Sequence, residues 1–126
     1  MLYFKPVTDI DEIKAVYKDK QLSADSARII AIDGDEEKGS CYISVDAQKC
    51  FLSDIVSEEN DDLLVEGLIR SALNFAANRG AYIAVCREGE FKSVLEFLGF
   101  ENTDGIYQGE IPELLKGSCC KKTDKS

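Results

Sequence analysis

The chain has 126 residues, of which 44% are hydrophobic and 31% charged, and these proportions are typical of one folded domain rather than a disordered or membrane-spanning chain. Its net charge of -9 argues against a nucleic-acid partner, because binding to a phosphate backbone depends on clustered Lys and Arg. No apolar run of about 18 residues and no signal peptide are present, so we expect a cytoplasmic protein without a membrane partner.

Histidine is absent from the sequence, and the five cysteines include no CxxC pair. An odd number of cysteines favours free thiols in a reducing compartment. Without histidine, a serine or cysteine nucleophile lacks its usual base, which argues against the common hydrolase triads. Zinc sites built from both cysteine and histidine are excluded for the same reason.

The amino-terminal half is predicted to contain four strands and one helix. The opening LYFKPV (2–7) is typical of an edge strand, because proline cannot donate to a central ladder. Thr8 or Asp9 then caps a helix that runs to about Lys18 and carries an apolar side. Period-two alternation and β-branched residues predict three antiparallel strands, separated by the turns GDEEKG and DAQK: ARIIAID (27–33), SCYISVD (40–46) and CFLSDIV (50–56).

The longest helix is predicted over 61–79, where apolar residues recur at the spacing of a wide buried stripe. Asn60 or Asp61 suits its N-cap, and Gly80 suits its C′ position. A buried central strand, a short helix and a last extended segment follow: 81–86 (AYIAVC), 91–97 and 104–115 (DGIYQGEIPELL). We expect one domain over 1–116 and, over 117–126, a tail without fixed structure that carries three Lys and one Asp, a net charge of +2.

This order of elements requires a mixed sheet with helices on both faces, which is an α+β (α/β layered) domain. Three stretches resemble parts of the GNAT superfamily of acyl-CoA-dependent N-acetyltransferases. YFKPVTDIDEI resembles its opening strand and helix, IVSEENDDLLVEGLIRSALNFAANRG its central strand, coenzyme turn and following helix, and VLEFLGF its closing helix. The resemblance covers nearly the whole chain. It implies a GNAT-like fold whose inherited chemistry is acylation of an amine by acetyl-CoA.

The resemblance also implies where the coenzyme lies. In this family the acyl-CoA thioester lies between two splayed parallel strands, and its pyrophosphate binds backbone amides of an RxxGxG or QxxGxG turn. Alignment of 55–80 without gaps puts Asn60 at the arginine position and Leu63 and Val65 at the glycine positions, so all three depart from the pattern. By position in that motif, the cofactor-binding residues are Ile55, Val56, Leu63, Leu64 and Val65.

Four acids surround this turn, namely Glu58, Glu59, Asp61 and Asp62. A carboxylate that close to a pyrophosphate opposes it by on the order of 1 kcal/mol even when partly solvated, and several such terms would remove micromolar binding. One interpretation is that the acids cap the helix and complement its dipole, as they do in many proteins. The other is that they occupy the anion site themselves and leave it self-inhibited or vacant.

The catalytic residues that the resemblance implies are incomplete. In many relatives a tyrosine four residues before the glycine of LGF protonates the departing thiolate, and Leu95 stands at that place. Relatives often place a general base on the central strand, where this chain has Asp54, although a lone strand acid is more often solvent-facing or hydrogen-bonded. Tyr107, in the last segment, is the remaining candidate proton donor, although a strand tyrosine usually contributes packing.

The cysteines suggest a separate set of functions. With a turn at Ala47 and Gln48, Val45 is predicted to oppose Cys50, and Cys41 to project to the same face of the hairpin. Two thiols on one face can bind a soft metal or cross-link, but buried cysteines more commonly pack as small hydrophobes. We therefore assign no metal site. Cys119 and Cys120 stand beside two lysines, whose charge favours reactive thiolates. This pair suits a redox role, a soft-metal site or a tail without function.

Three functions follow from these patterns. The first is a divergent GNAT-like protein with a degenerate acetyl-CoA turn, in which N-acyl transfer is weak, altered or absent. The second is an active N-acetyltransferase that binds acetyl-CoA in a non-standard way and acylates a small-molecule amine. The third is a non-enzymatic module that binds or assembles with a protein partner, and a homodimer through the last strand or the cleft would suit it.

Overall fold

The structure is a computed structural model that describes residues 2–18, 25–58, 61–87 and 90–115. Its strands form one mixed seven-stranded sheet in the order β1-β2-β3-β4-β5-β7-β6. The strands are β1 (Leu2–Val7), β2 (Ser26–Asp33), β3 (Glu36–Asp46), β4 (Lys49–Ser57), β5 (Ile83–Cys86), β6 (Glu101–Thr103) and β7 (Ile106–Glu110). The helices are α1 (Ile10–Val16), α2 (Asp62–Ala77) and α3 (Lys92–Leu98). The neighbours β4 and β5 run parallel, and the other paired strands run antiparallel.

Helical segments contact both faces of the sheet, as the α+β prediction requires. The Sγ atom of Cys41 on β3 lies 3.9 Å from the carbonyl oxygen of Leu68 on α2. The ring of the next residue, Tyr42, meets that of Tyr17, which follows α1, with 5.1 Å between ring centroids. Successive strand residues point to opposite faces, so α2 and the end of α1 lie on opposite sides of β3. The α+β fold class is thereby confirmed.

The meander formed by β2, β3 and β4 has the predicted hairpins. Its first turn is shorter than predicted, since β3 begins at Glu36 and the turn consists of Gly34 and Asp35. The second turn lies at residues 47–48, and Val45 pairs with Cys50 as predicted. Both Cys50 and Cys41 are buried in the hydrophobic core, so the two cysteines pack as small hydrophobes there.

The helix α2 supplies the largest share of the core on its face of the sheet. Its start at the Asp61 N-cap and its end close to the predicted limits are confirmed. At the C-terminus, the amide of Gly80 donates to Ala77 and the amide of Ala81 donates to Ala76, at 3.1 and 3.0 Å. These two bonds are those of a Schellman motif, which places Gly80, with φ +92°, at C′. Its buried residues are Leu64, Val65, Leu68, Ile69, Ala72, Leu73, Phe75 and Ala76.

The helix α1 is smaller than predicted and buries less. It begins after the predicted N-cap Asp9 and ends at Val16. Ile13 is its buried residue, whereas Val16 is 51% exposed, so the apolar side is narrower than predicted. A helix of seven residues has about two turns, and Ile13 is the residue through which it packs on the sheet.

The carboxyl-terminal part differs most from the prediction of one extended segment over 104–115. Within that segment β7 pairs with the preceding strand β6 to form a hairpin, and residues 111–115 are helical. Asp104 and Gly105 form its turn with φ of +54° and +85°, the backbone that a type I′ turn requires and that an Asp-Gly pair adopts readily. The sequence therefore contained the signal for this hairpin in its Asp-Gly pair.

Several predictions fall on residues outside the described ranges. They are the tail over 117–126 with Cys119 and Cys120, and Glu59 and Asn60 in the coenzyme turn. Within the described ranges, no helix is long and apolar enough to cross a membrane.

Candidate functional site

The pairing of the parallel strands β4 and β5 ends about halfway along β4. Their common register runs from Lys49 opposite Ile83 to Leu52 opposite Cys86, where β5 ends. The strand β4 continues to Ser57, still paired with β3. The open side of β4 beyond Leu52 is the position at which the GNAT resemblance expects the acyl thioester.

A β-bulge distorts β4 at this opening and carries the candidate base Asp54. The register of β3 with β4 shifts by one residue between Ser40 and Tyr42, and Asp54 has φ +54°. Aspartate tolerates this left-handed backbone better than most residues, and bulges often re-aim a side chain beside a functional site. The Asp54 Oδ2 atom accepts a hydrogen bond from the Ser53 hydroxyl at 2.8 Å.

The second catalytic candidate, Tyr107, lies in a different environment. It is 2% exposed, belongs to the hydrophobic core and pairs with Cys86 across β5 and β7. Its hydroxyl accepts a hydrogen bond from Asn102 Nδ2 at 3.4 Å. Leu95, at the place of the family's tyrosine, is fully buried in α3. Tyr107 and Leu95 are thus packed inside the core, whereas Asp54 stands at the strand opening.

The start of α2 is occupied by its own N-cap side chain. The Oδ1 atom of Asp61 accepts hydrogen bonds from the amides of Leu63 and Leu64 at 3.0 and 3.3 Å. The amide of Val65 donates to the Asp61 carbonyl oxygen at 3.0 Å as the first bond of the helix. The amides of all three residues assigned to the pyrophosphate therefore already have acceptors, and two of them share one carboxylate.

A lysine partly offsets the acidic charge beside this turn. Lys38 Nζ on β3 lies 3.4 Å from Glu58 Oε1 and 3.6 Å from Glu36 Oε1. Its hydrogen bond to Glu58 raises the pKa of Lys38, with Glu36 adding to the effect. The pair also borders a pocket of about 170 Å³ that includes Asp61. Glu58 is therefore a paired acid, which the sequence did not reveal, while Asp61 and Asp62 remain at the helix start.

These residues do not fit the pyrophosphate of acetyl-CoA in the way the family motif prescribes. An incoming phosphate would have to displace the Asp61 carboxylate from two amides while remaining close to its charge and that of Asp62. The side chain at the first glycine position, Leu63, is 80% exposed over the turn, and Val65 at the second is fully buried. On the preceding strand Ile55 is buried and Val56 is 59% exposed. The cofactor roles of these residues stay predictions.

A polar cluster beneath α1 was missed at the level of sequence. The guanidinium of Arg28 forms two hydrogen bonds to the Glu37 carboxylate, one of them at 3.1 Å from Nη1 to Oε1. Its Nε atom is buried and has no acceptor among the described residues. Burial raises the pKa of the Tyr17 hydroxyl to about 12. The positive charge of Arg28 lowers this pKa in part, and the negative charge of Asp54 raises it slightly further. A single arginine among the apolar residues of β2 was the signal for this cluster.

A groove between α2 and α3 lies beside the same helix start. Its apolar part is formed by Leu63, Val94 and Phe97, and Asp62 and Glu66 stand at its edge. The cavity measures about 270 Å³, and Phe97 within it is 49% exposed. The groove therefore presents apolar side chains and carboxylates rather than cations.

Neither a protein-family model nor a curated protein sequence matches this chain. Solved structures do match it. A probable acetyltransferase from Staphylococcus epidermidis superposes with a TM-score of 0.67 at 14% identity, over 87% of this chain and 99% of that one. The ribosomal-protein-S18-alanine N-acetyltransferase from Escherichia coli gives 0.65 at 14%, over 88% and 94%. A GNAT family acetyltransferase from Elizabethkingia anophelis, with acetyl-CoA bound, gives 0.64 at 16%, over 82% and 78%.

These neighbours cover nearly the whole described chain and share its mixed sheet, with the helix α2 connecting the parallel pair β4 and β5. Identities of 14–16% show a shared fold but assign no role to individual residues of this chain. The chain therefore has the GNAT fold of the acyl-CoA N-acyltransferases.

Proposed function

We propose that this chain is a divergent GNAT-fold protein whose pyrophosphate turn is filled by the side chain of Asp61, so that N-acyl transfer is weak, altered or absent. The observation that carries the proposal is the pair of hydrogen bonds from the amides of Leu63 and Leu64 to Asp61 Oδ1. A carboxylate on these amides satisfies the same donors that a phosphate would use. The anion site is thus complete without a ligand.

The energies involved are large enough to matter for coenzyme binding. Removing an N-cap carboxylate from its amides costs about 1–2 kcal/mol, and each unscreened carboxylate near the phosphate opposes it by on the order of 1 kcal/mol more. Micromolar affinity corresponds to about 8 kcal/mol in total. Displacing Asp61 while Asp62 stays in place would therefore consume a third or more of the binding free energy of a micromolar ligand.

The catalytic candidates support the same proposal. Asp54, the candidate general base, lies on the bulge of β4 beside the strand opening and accepts a hydrogen bond from Ser53. The candidate acid Tyr107 is enclosed by the core, and Leu95 has no proton to give. A site with a candidate base but no proton donor for the departing thiolate is consistent with slow transfer, or with a thiolate that leaves unprotonated.

Calorimetric titration of acetyl-CoA tests the proposal. The variant Asp61→Gly with Asp62→Lys removes the cap carboxylate and changes the local charge by +3. We expect it to bind at least about tenfold more tightly than the unaltered chain, which corresponds to about 1.4 kcal/mol. The matched control is Asp9→Gly with Asp11→Lys, which makes the same change at α1, where Asp9 caps in the same way.

Two outcomes would count against the proposal. Micromolar binding by the unaltered chain would favour an active N-acetyltransferase that holds acetyl-CoA by contacts outside the turn. Equal affinities for the Asp61 and Asp9 variants would mean that the turn does not control coenzyme binding. A non-enzymatic binding function is favoured by a separate observation, the exposed apolar groove between α2 and α3.

A further inference from the structure

The groove between α2 and α3 has the features of a surface that binds a peptide segment. Leu63 and Phe97 are large apolar side chains, 80% and 49% exposed, and both line the groove, one from each helix. Exposed apolar patches with a polar rim mark interaction sites more often than isolated apolar residues do. Of the two acids that line the groove, Glu66 is paired with Arg70 at 2.9 Å, and Asp62 would favour a segment that carries positive charge.

The described chain ends next to this groove. Leu114 is buried in the core, and the carbonyl oxygen of Leu115 accepts a hydrogen bond from Arg70 Nη1 at 3.5 Å. The same guanidinium donates through Nε to Glu66 Oε2 at 2.9 Å. One arginine therefore connects an acid of the groove to the point at which residues 116–126 begin.

Residues 116–126, KGSCCKKTDKS, have the reach and the charge to enter the groove. Leu63 lies about 10 Å from Arg70 along the axis of α2, and the five residues from 116 to Cys120 span at most about 18 Å. The segment contains four Lys and one Asp, a net charge of +3, which leaves -12 for residues 1–115 out of the total of -9. Its adjacent cysteines are small apolar groups flanked by lysines.

We propose that residues 116–126 of this chain occupy the α2–α3 groove, with Cys119 and Cys120 against Leu63 and Phe97. Thiol groups pack well on apolar and aromatic side chains, and the lysines would stand beside Asp62. Because the segment is tethered, it meets the groove at an effective concentration on the order of 1 mM, so weak contacts are sufficient. The proposal holds whether or not acetyl-CoA binds at the turn, and its test needs no coenzyme.

Alkylation of the full chain with N-ethylmaleimide, followed by mass spectrometry, measures this contact. Burial raises the pKa of Cys50 to about 12, and the thiols that lie in the core react slowly: Cys41, Cys50 and Cys86. The early reaction therefore reports on Cys119 and Cys120. We expect them to react at least about threefold more slowly in the chain than in a synthetic peptide of residues 116–126, which corresponds to a docked-to-free ratio of about two.

Matched variants separate the groove from general effects. Leu63→Ser should return the alkylation rate to that of the peptide, because it removes the apolar contact from a side chain that the core does not need. Val16→Ser is the control, an exposed apolar residue on α1 across the sheet. Asp62→Asn should also raise the rate and weaken its dependence on salt, whereas Asp11→Asn, in the first turn of α1, should leave both unchanged.

Three results would overturn the proposal. The first is an equal rate in the chain and in the peptide, and the second is equal protection in Leu63→Ser and Val16→Ser. The third is protection that grows with protein concentration, since that would assign the groove to the segment of a second copy.

Discussion

Replacement of Asp61 by alanine should destabilise the fold, because the side chain holds two amides at the start of the longest helix. The bonds to Leu63 and Leu64 measure 3.0 and 3.3 Å, and loss of such an N-cap costs about 1–2 kcal/mol. The entropy of unfolding of a 126-residue chain is roughly 0.26 kcal/mol per degree at the midpoint, so Asp61→Ala should lower Tm by about 4–8 °C.

The structure offers an internal control for this prediction. Asp9 caps α1 through bonds of 2.9 and 3.4 Å, which is nearly the same geometry. The helix α1 buries one residue and α2 buries eight, so α1 can open locally while α2 opens only with the whole fold. We therefore expect Asp9→Ala to lower Tm by less than about 2 °C.

Thermal unfolding followed by circular dichroism measures both variants, and Asp61→Asn separates the cap from the charge. Asparagine caps as well as aspartate does, so Asp61→Asn should stay within about 0.5 kcal/mol of the unaltered chain. A loss in Asp61→Asn as large as in Asp61→Ala would refute the capping argument and assign the stability to charge and dipole alone. Equal losses at Asp9 and Asp61 would refute the coupling of α2 to the whole fold.

Two further predictions follow from packing and from ionisation. A Cβ at Gly67 would lie 2.2 Å from Phe4 Cζ, so Gly67→Ala should lower the free energy of unfolding in urea by about 1–3 kcal/mol. In a Phe4→Ala background the same change should raise that free energy by up to about 1 kcal/mol, because alanine favours the helix over glycine. A loss of stability in both backgrounds would contradict this contact. The pKa of Tyr17 is about 12 in the fold and about 10 when unfolded, so the free energy of unfolding should fall as pH rises from about 10 to about 12. Tyr17→Phe should reduce this fall and remove the last step of the ultraviolet tyrosine titration. An unchanged titration in this variant would contradict the burial of the Tyr17 hydroxyl.

The long elements were predictable because each has a strong local signal. The helix α2 has a full apolar stripe, an N-cap aspartate and Gly80 at C′, and all three agree with the structure. The meander was predictable from alternation, down to the pairing of Val45 with Cys50. The hairpin of β6 and β7 was missed because its strands are short and the Asp-Gly pair at its turn was read as part of one extended segment.

The candidate site was predictable in position but not in its bonds. The sequence showed acids around a turn whose two glycine positions hold Leu63 and Val65, and it left two interpretations open. The geometry unites these two interpretations, because the Asp61 carboxylate that caps α2 also accepts hydrogen bonds from two of the amides assigned to the phosphate. The pairing of Lys38 with Glu58, which are far apart in sequence, depends on the register of β3 with β4 and has no local signal.

Thermal unfolding of the unaltered chain with and without about 0.1 mM acetyl-CoA tests the central claim most directly. For a ligand of micromolar affinity this is about one hundred times the dissociation constant, which stabilises the folded state by about 2.7 kcal/mol and would raise Tm by roughly 10 °C here. If Asp61 fills the anion site and removes a third or more of that binding free energy, the dissociation constant is about 0.1 mM or weaker, and Tm should change by less than about 2 °C. A rise of several degrees would contradict the account and show that the turn still accepts the coenzyme.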